Sequence, residues 1–216
     1  MKKERKRKIF VAALLLVAFV LWTVIVSLAD VRQIGPHGSR VGLATVNAWI
    51  HRAVGVNMAL YTVTDWLGLV PVFVMLGFAV LGLLQWIKRK NILRVDFDIL
   101  LLGAFYIVVF GFYVLFEYFA INYRPVLIDG YLEASYPSST TMLVTCVMPT
   151  AAMQLDSRIK NRAVKSCALT LCYAFSVFMI IGRFISGVHW LSDIIGGLLL
   201  SASLVTAYHS LAKIKL

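Results

Sequence analysis

The chain has few charged residues, few cysteines and no flexible linker. Charged residues make up 14% of its 216 positions, hydrophobic residues make up 61%, and the mean hydropathy is +0.86. A water-soluble fold of this length cannot bury so much apolar surface, so the composition excludes an ordinary soluble domain. No Gly/Ser-rich tract, low-complexity segment or internal repeat divides the sequence. We therefore predict a single domain over residues 1–216, embedded in a lipid bilayer.

The three cysteines all lie in apolar stretches, at Cys146, Cys167 and Cys172. Their odd number and their spacing argue against both a disulfide framework and a zinc site. We interpret them as small packing residues.

Acidic residues are scarce as well, with 10 Asp and Glu against 21 Lys and Arg, which gives a net charge of +11. In a soluble protein this excess would suggest nucleic-acid binding. Here the basic residues stand at the ends of apolar runs, which is the pattern that orients a membrane protein. We predict no nucleic-acid partner.

Six apolar runs have about the length that an α-helix needs to cross a bilayer, roughly 20 residues. They predict an all-α polytopic bundle with six transmembrane helices, over residues 9–29, 59–87, 97–120, 138–155, 166–185 and 194–211. The fourth run is the weakest, because it contains several hydroxyl residues and Pro149. Between the first two runs, apolar residues at helical spacing over 46–54 predict a short amphipathic helix in the membrane interface.

Lys and Arg are distributed unevenly over the two sides of this topology. Most of them fall on the side of the two termini, and the others are Arg32, Arg40, Arg52, Arg124 and Arg183. Because cytoplasmic loops carry the excess of positive charge, we predict a multi-pass protein of the cell membrane with both termini inside. The first run ends in Ser27-Leu28-Ala29, which resembles a signal-peptidase site. Its apolar stretch is longer than that of a signal peptide, so we favour a retained anchor.

Charged residues at membrane depth are costly and therefore indicate function. Near the outer ends of the later spans lie Glu117, Arg124, Arg183, His189 and Asp193. On the predicted topology all five are extracytoplasmic, which indicates one polar site at the outer face.

The stretch 182–193 carries the strongest chemical signal. His189 and Asp193 are four residues apart and would share a helix face. A carboxylate placed there can hold one imidazole nitrogen as N–H and leave the other lone pair free to attack. Arg183 lies six residues before His189, and Ser186-Gly187 between them is expected to break the helix and return the guanidinium to the imidazole.

Two further stretches offer groups that bind phosphate. Residues 136–141 open the fourth span, where a helix N-terminus has unpaired N–H groups and the positive end of its dipole. Plain helix capping by Ser138 explains that stretch equally well. Glu117 and Arg124 are seven residues apart, so on a helix both side chains would point the same way and Glu117 would orient the Arg124 guanidinium.

Together the three stretches resemble the type 2 phosphatidic acid phosphatase family of integral membrane lipid phosphatases. That family carries Lys-x6-Arg-Pro, then Pro-Ser-Gly-His, then Ser-Arg-x5-His-x3-Asp. The corresponding stretches here are Glu117-x6-Arg124-Pro125, Pro137-Ser138-Ser139-Thr140 and Gly182-Arg183-x5-His189-x3-Asp193. The predicted six-span layout agrees with the family as well.

The resemblance implies an enzyme that acts on a membrane lipid phosphate or diphosphate, without a metal or other cofactor. His189 would be the catalytic nucleophile and would form a phosphohistidine, with Asp193 as its orienting partner. The phosphoryl oxygens would be held by Arg124, Arg183, Ser138 and the amide of Ser139.

Four positions depart from the family pattern: Glu117 replaces Lys, Ser139 Gly, Thr140 His and Gly182 Ser. The change at Thr140 matters most, because the family histidine protonates the leaving group and threonine is no usable acid near neutral pH. General acid catalysis contributes about 10²–10⁴-fold, so a phosphate monoester, which leaves as an alkoxide, should react poorly. The sequence leaves several substitute acids open, namely Glu133, Asp129, His37 and His51.

A lipid diphosphate leaves as a phosphate and needs much less help. We therefore expect a membrane lipid phosphatase or diphosphatase that prefers a polyprenyl diphosphate, such as undecaprenyl diphosphate, to phosphatidic acid. Two alternatives remain, a lipid phosphotransferase built from the same parts and a catalytically silent member that binds or translocates phospholipids.

Overall fold

The computed structural model describes residues 2–212, which form a helical bundle with one very short hairpin. The helices are α1 (Lys2–Leu28), α2 (Ala44–Val54), α3 (Met58–Leu67), α4 (Leu69–Arg89), α5 (Phe97–Tyr118), α6 (Ser139–Arg158), α7 (Arg162–Ile185) and α8 (Leu191–Ala212). The hairpin pairs β1 (Arg32–Gln33) with β2 (Arg40–Val41) in antiparallel register. Helices α3 and α4 follow each other with Gly68 alone between them, so they form one nearly continuous rod.

Five helical segments within the described residues are long and apolar enough to cross a membrane. They are Lys3–Leu28, Met58–Arg89, Phe97–Tyr118, Arg162–Ile185 and Leu191–Ala212. The sixth predicted span coincides with α6, which has sufficient length but is less apolar. The reason is its position, because α6 packs against α4, α5, α7 and α8 and buries hydroxyl and amide side chains such as Thr141, Thr150 and Gln154. Its crossing of the bilayer stays a prediction.

The first and last helices pack side by side in opposite directions. Trp22 of α1 donates its indole N–H to the carbonyl of Ser192 at the start of α8, over 3.0 Å. Ser203, further along α8, donates to the carbonyl of Ala12 in α1 over 2.9 Å. The beginning of α1 therefore lies beside the end of α8. This arrangement agrees with two termini on one side of a membrane.

Basic residues and their acidic partners gather at the end of the bundle where α4 and α6 finish and α5 begins. The Arg89 Nη1 atom lies 2.8 Å from Asp96 Oδ1, and the Arg158 Nη2 atom lies 2.5 Å from Asp98 Oδ2. The hydrogen bond from Arg89 lowers the pKa of Asp96. This basic end is the one that the charge distribution predicts to be cytoplasmic.

The segment between α1 and α3 covers the opposite end of the bundle. The predicted short helix is confirmed as α2, which exposes two large apolar side chains and buries an amide. Val46 and Trp49 are exposed, whereas Asn47 is buried and hydrogen-bonds to Ser192 of α8 with both amide atoms. This helix therefore anchors the start of α8.

Candidate active site

Arg124 is held by the long loop between α5 and α6, where the chain folds back on itself. Its N–H donates to the carbonyl of Glu133 over 3.0 Å, and two residues earlier Asn122 accepts the N–H of Ser135 over 2.9 Å. The Arg124 Nε atom also forms an ion pair with Glu133 Oε2 at 3.0 Å. Backbone pairing within the loop therefore fixes the position of Arg124, and the Glu133 carboxylate pairs with its guanidinium.

The expected alignment of Glu117 with Arg124 on one helix is wrong. Helix α5 ends at Tyr118, so Arg124 lies beyond the helix and the seven-residue spacing carries no helical phase. Glu117 is exposed and lines a small cavity with Ser139 on the outer side of the loop. The carboxylate that pairs with Arg124 is that of Glu133, which was predicted from the sequence only as a substitute acid.

The predicted break after Arg183 is confirmed. Helix α7 ends at Ile185, and Gly187 follows with φ +67°, a left-handed conformation that favours glycine. A side chain there would also collide with the Gly55 carbonyl, since an added Cβ would lie 1.9 Å from its oxygen. The turn brings the Arg183 Nη2 atom to 3.2 Å from Nε2 of His189.

Asp193 lies close to His189, but its carboxylate forms its hydrogen bonds with other residues. The distance from His189 Nδ1 to Asp193 Oδ2 is 3.8 Å, which is an electrostatic contact and longer than a hydrogen bond. Helix α8 begins at Leu191, so His189 precedes the helix on whose first turn Asp193 lies. The carboxylate accepts three hydrogen bonds, from Trp190 N, Ser192 Oγ and Asn122 Nδ2.

The second motif stretch, residues 136–141, contacts the first turn of α8, where Asp193 lies. Ser138 donates its N–H to the carbonyl of Asp193 over 3.0 Å and is fully buried. Its hydroxyl lies 3.0 Å from that of Thr141 on the first turn of α6, and Ser138 immediately precedes that helix. Ser139 begins that helix, and Thr140 is half-buried with its methyl group against the turn of α3 and α4 at Gly68.

Tyr61 of α3, which no sequence motif indicates, contacts both arginines. The Arg183 Cζ atom lies 5.0 Å and the Arg124 Cζ atom 5.8 Å from the centre of the Tyr61 ring, within the range of a cation–π contact. Arg183 lies in the last turn of α7 and Arg124 in the loop between α5 and α6, so the Tyr61 ring contacts two like charges from separate parts of the chain.

Positive charge in this cluster is buried more deeply than the negative charge that accompanies it. The Arg183 side chain is 0% exposed and that of Arg124 is 9% exposed, while their partners Asp65 and Glu133 are 54% and 40% exposed. Arg183 Nε and Arg124 Nη1 are buried without a hydrogen-bond partner among residues 2–212. Buried N–H donors without partners are costly, and the oxygens of a bound anion would satisfy them.

The same environment determines the charge state of His189. Burial, together with the positive charges of Arg124 and Arg183, lowers the pKa of His189 well below its ordinary value, although the backbone of Ser135 acts in the opposite direction. The imidazole is therefore neutral near pH 7. Since a guanidinium can only donate, the Nε2 atom that faces Arg183 is an acceptor with a lone pair.

Further residues contact the groups of the site, and of these His51 was predicted from the sequence only as a substitute acid. Asn122 contacts Asp193 and also accepts the N–H of Gly42, and His51 lies 3.0 Å from the Gly187 carbonyl and against the ring of Trp190. Asp65 contacts Arg183 Nη1 at 3.5 Å. One feature of the sequence could have identified Asp65 as functional, because it is the single charged residue in the apolar run 59–87.

Comparison with known proteins agrees with this architecture. The chain resembles the crystal structure of a transmembrane PAP2 type phosphatidylglycerolphosphate phosphatase from Bacillus subtilis, with a TM-score of 0.66 and 19% sequence identity. The alignment covers 94% of this chain and 97% of that one, and at this identity it speaks for the fold. No curated protein sequence matches at a significant level. The family model of the PAP2 superfamily matches residues 105–215, which include all three motif stretches and the buried arginine and histidine cluster, and the chain therefore belongs to the PAP2 superfamily.

Proposed function

We propose that this protein is a membrane lipid phosphatase that transfers the terminal phosphoryl group of a lipid diphosphate to His189 and then to water. Membership of the PAP2 superfamily supports a phosphatase activity in general. The finer assignment depends on the side chains of the cluster.

The observation that carries the proposal is the placement of a neutral, buried imidazole against two buried guanidinium groups. Arg183 lies 3.2 Å from the His189 lone pair, and Arg124 shares the Tyr61 ring with Arg183. Both arginines present N–H groups without partners. A phosphoryl group bound to those N–H donors would lie next to Nε2, which is the geometry that in-line attack on phosphorus needs.

The first chemical step then forms one bond and breaks another. His189 Nε2 attacks the terminal phosphorus, the Nε2–P bond forms, and the bridging P–O bond breaks with its electron pair leaving on the lipid monophosphate. The imidazole gains positive charge, and the Asp193 carboxylate 3.8 Å from Nδ1 stabilises it. Arg124 and Arg183 stabilise the charge on the three phosphoryl oxygens.

The preference for a diphosphate follows from the absence of an acid at Thr140. A lipid monophosphate is a weak enough base to leave without protonation, whereas the alkoxide that leaves phosphatidic acid is not. Polyprenyl diphosphates are membrane lipids that fit this requirement, and undecaprenyl diphosphate is the substrate we propose.

The proposed site faces the extracytoplasmic side of the cell membrane. It lies at the end of the bundle opposite the basic end formed by Arg89 and Arg158 and their carboxylate partners. The positive-inside rule assigns that basic end to the cytoplasm. Accessibility of an engineered cysteine at exposed Asp129, probed from outside intact cells with a membrane-impermeant maleimide, tests this orientation, and labelling from the cytoplasmic side alone would contradict it.

The activity is tested with purified protein in detergent micelles. Phosphate release is measured from undecaprenyl diphosphate and from phosphatidic acid, with wild type and the His189→Ala variant. We expect faster release from the diphosphate and none above background from the variant. Release from phosphatidic acid at an equal or higher rate would contradict the preference.

A catalytically silent lipid-binding protein is the second candidate, and the replacement of the family histidine by Thr140 favours it. Such a protein would bind lipid phosphate through Arg124 and Arg183 without chemistry at His189. It predicts binding of a lipid diphosphate by wild type and His189→Ala alike, with no acid-labile phosphoenzyme in either.

A further inference from the structure

We propose that Asp65 is the general base that activates water for hydrolysis of the phosphohistidine, an inference that rests on the function proposed above. The first step needs no acid when the leaving group is a phosphate. The second step still needs a base, because water is a poor nucleophile toward phosphorus. Thr140 offers no such base, so the group has to come from another residue near the phosphoryl site.

The Asp65 carboxylate lies beside the guanidinium that contacts the nucleophile. Its Oδ1 atom is 3.5 Å from Arg183 Nη1, and Arg183 Nη2 is 3.2 Å from His189 Nε2. The two nitrogens belong to one planar group, so the carboxylate and the imidazole flank the same guanidinium. A phosphoryl group bound to Arg183 and joined to Nε2 would therefore lie close to the Asp65 carboxylate.

Asp65 combines this position with access to water. Its side chain is 54% exposed, whereas those of Arg183 and His189 are 0% and 1% exposed. Water can therefore reach the phosphoenzyme on the side of Asp65 and is excluded behind the imidazole. Thr140 lies on the same side of the site as Asp65. Its methyl group is near Gly68, which is one helical turn after Asp65.

The other ionisable groups near the site are less well placed. Glu133 is paired with Arg124 Nε, on the other arginine, and Asp193 is fully buried behind the imidazole. Asp129 is exposed in the turn of the loop, and the His51 ring is hydrogen-bonded to the Gly187 carbonyl behind the α7–α8 turn. These positions leave Asp65 as the carboxylate that faces both water and the Arg183 guanidinium.

Hydrolysis of the phosphohistidine forms a P–O bond and breaks the Nε2–P bond. The oxygen of a water molecule attacks phosphorus, one of its protons passes to the Asp65 carboxylate, and a P–O bond forms. The Nε2–P bond breaks and its electron pair returns to the His189 ring. Inorganic phosphate is released, and the carboxyl group loses its proton to bulk water, to which it is exposed.

Rapid-quench kinetics with undecaprenyl diphosphate labelled in its terminal phosphate separate the two steps. We expect Asp65→Asn to form the phosphoenzyme at close to the wild-type rate, to slow its decay by about 10²-fold or more, and so to accumulate it. Asp65→Glu should restore part of the decay rate. Asp156→Asn, which removes an exposed carboxylate at the basic end of the bundle, is the matched control and should decay like wild type.

Formation and decay rates also separate a base from a residue that only positions Arg183. If Asp65→Asn slows formation and leaves decay unchanged, Asp65 acts through Arg183 and the proposal is wrong. Equal kinetics for Asp65→Asn and wild type would overturn it as well. If no variant forms a phosphoenzyme and His189→Ala is as active as wild type, the proposed function itself fails, which is a different result.

Discussion

The guanidinium of Arg183 donates a hydrogen bond to Nε2 of His189 across 3.2 Å, so the atom proposed as nucleophile is covered by the group proposed to bind its substrate. This contact keeps the imidazole in the tautomer with the proton on Nδ1 and its Nε2 lone pair directed into the site. A bound phosphate would take over the Arg183 donors and leave that lone pair facing phosphorus. In the proposed mechanism, substrate binding and activation of the nucleophile would thereby be coupled through one side chain.

Replacement of Arg183 by lysine should reduce turnover of a lipid diphosphate by about 10²–10³-fold, the usual cost of losing one donor that stabilises transition-state charge. Lysine keeps the charge but cannot contact Asp65, His189 and a phosphoryl oxygen with one planar group. Steady-state phosphate release measures the loss. Arg52→Lys is the control, because Arg52 is exposed on α2, and an equal loss in both variants would contradict a specific role of Arg183.

Introduction of histidine at Thr140 should extend the substrate range. The residue is half-buried on the first turn of α6, next to the α3–α4 turn at Gly68, which is three residues after Asp65. A histidine there would protonate an alkoxide leaving group, so we expect phosphatidic acid hydrolysis to rise by about 10-fold or more. Hydrolysis of the diphosphate should change little. The ratio of the two rates is the measurement, and an unchanged ratio would show that the missing acid does not set the preference.

Restoration of the family serine at Gly182 should destabilise the protein. A Cβ at this position would lie 2.7 Å from the Thr64 methyl group, and Thr64 is itself fully buried between α3 and α7. Overpacking of this kind costs about 1–3 kcal/mol. Thermal unfolding in detergent should show a lower midpoint for Gly182→Ser. Gly77→Ser is the matched control, because nothing lies within 4 Å of a Cβ added there, and its midpoint should stay closer to that of wild type.

The stability of the protein should depend on pH through His189. Its pKa in the folded protein lies well below that of an unfolded histidine, about 6.5, so the unfolded state binds the proton first as the pH falls. The contribution of a neutral His189 is complete above pH 6.5 and is lost progressively below it, by up to about 1.4 kcal/mol per pH unit. Unfolding midpoints between pH 7.5 and 5 measure this, and His189→Asn should have the weaker pH dependence. Equal slopes for both proteins would contradict it.

Sequence patterns predicted the helices well because apolar runs and the charges that flank them are local properties of the chain. The apolar runs, the basic residues at their ends and the short helix now seen as α2 all follow from spacing along the chain. The break at Ser186-Gly187 was predictable for the same reason, since glycine favours the left-handed turn observed there. Hydropathy was least informative for α6, because a helix surrounded by other helices does not have to present an apolar surface to lipid.

Residue spacing gave a wrong prediction at the point where the chain leaves helix α5. Glu117 and Arg124 share a face only if α5 continues, and it ends at Tyr118. The carboxylate that does pair with Arg124 is that of Glu133, in the same loop. No periodic pattern in the sequence predicts how that loop folds. Similarly, Asp193 lies close to His189 as predicted, but its carboxylate accepts hydrogen bonds from Asn122, Trp190 and Ser192.

What the sequence alone determined is the membrane-embedded helical scaffold and the identity of a small charged set, because burial in lipid leaves charged side chains few tolerated positions. Only the tertiary structure decided which of those charges meet. The Tyr61 ring beneath both arginines and the Asp65 carboxylate beside one of them come from α3, more than a hundred residues before Arg183. Such contacts depend on how separate helices pack, and packing between distant segments leaves no periodic trace in the chain.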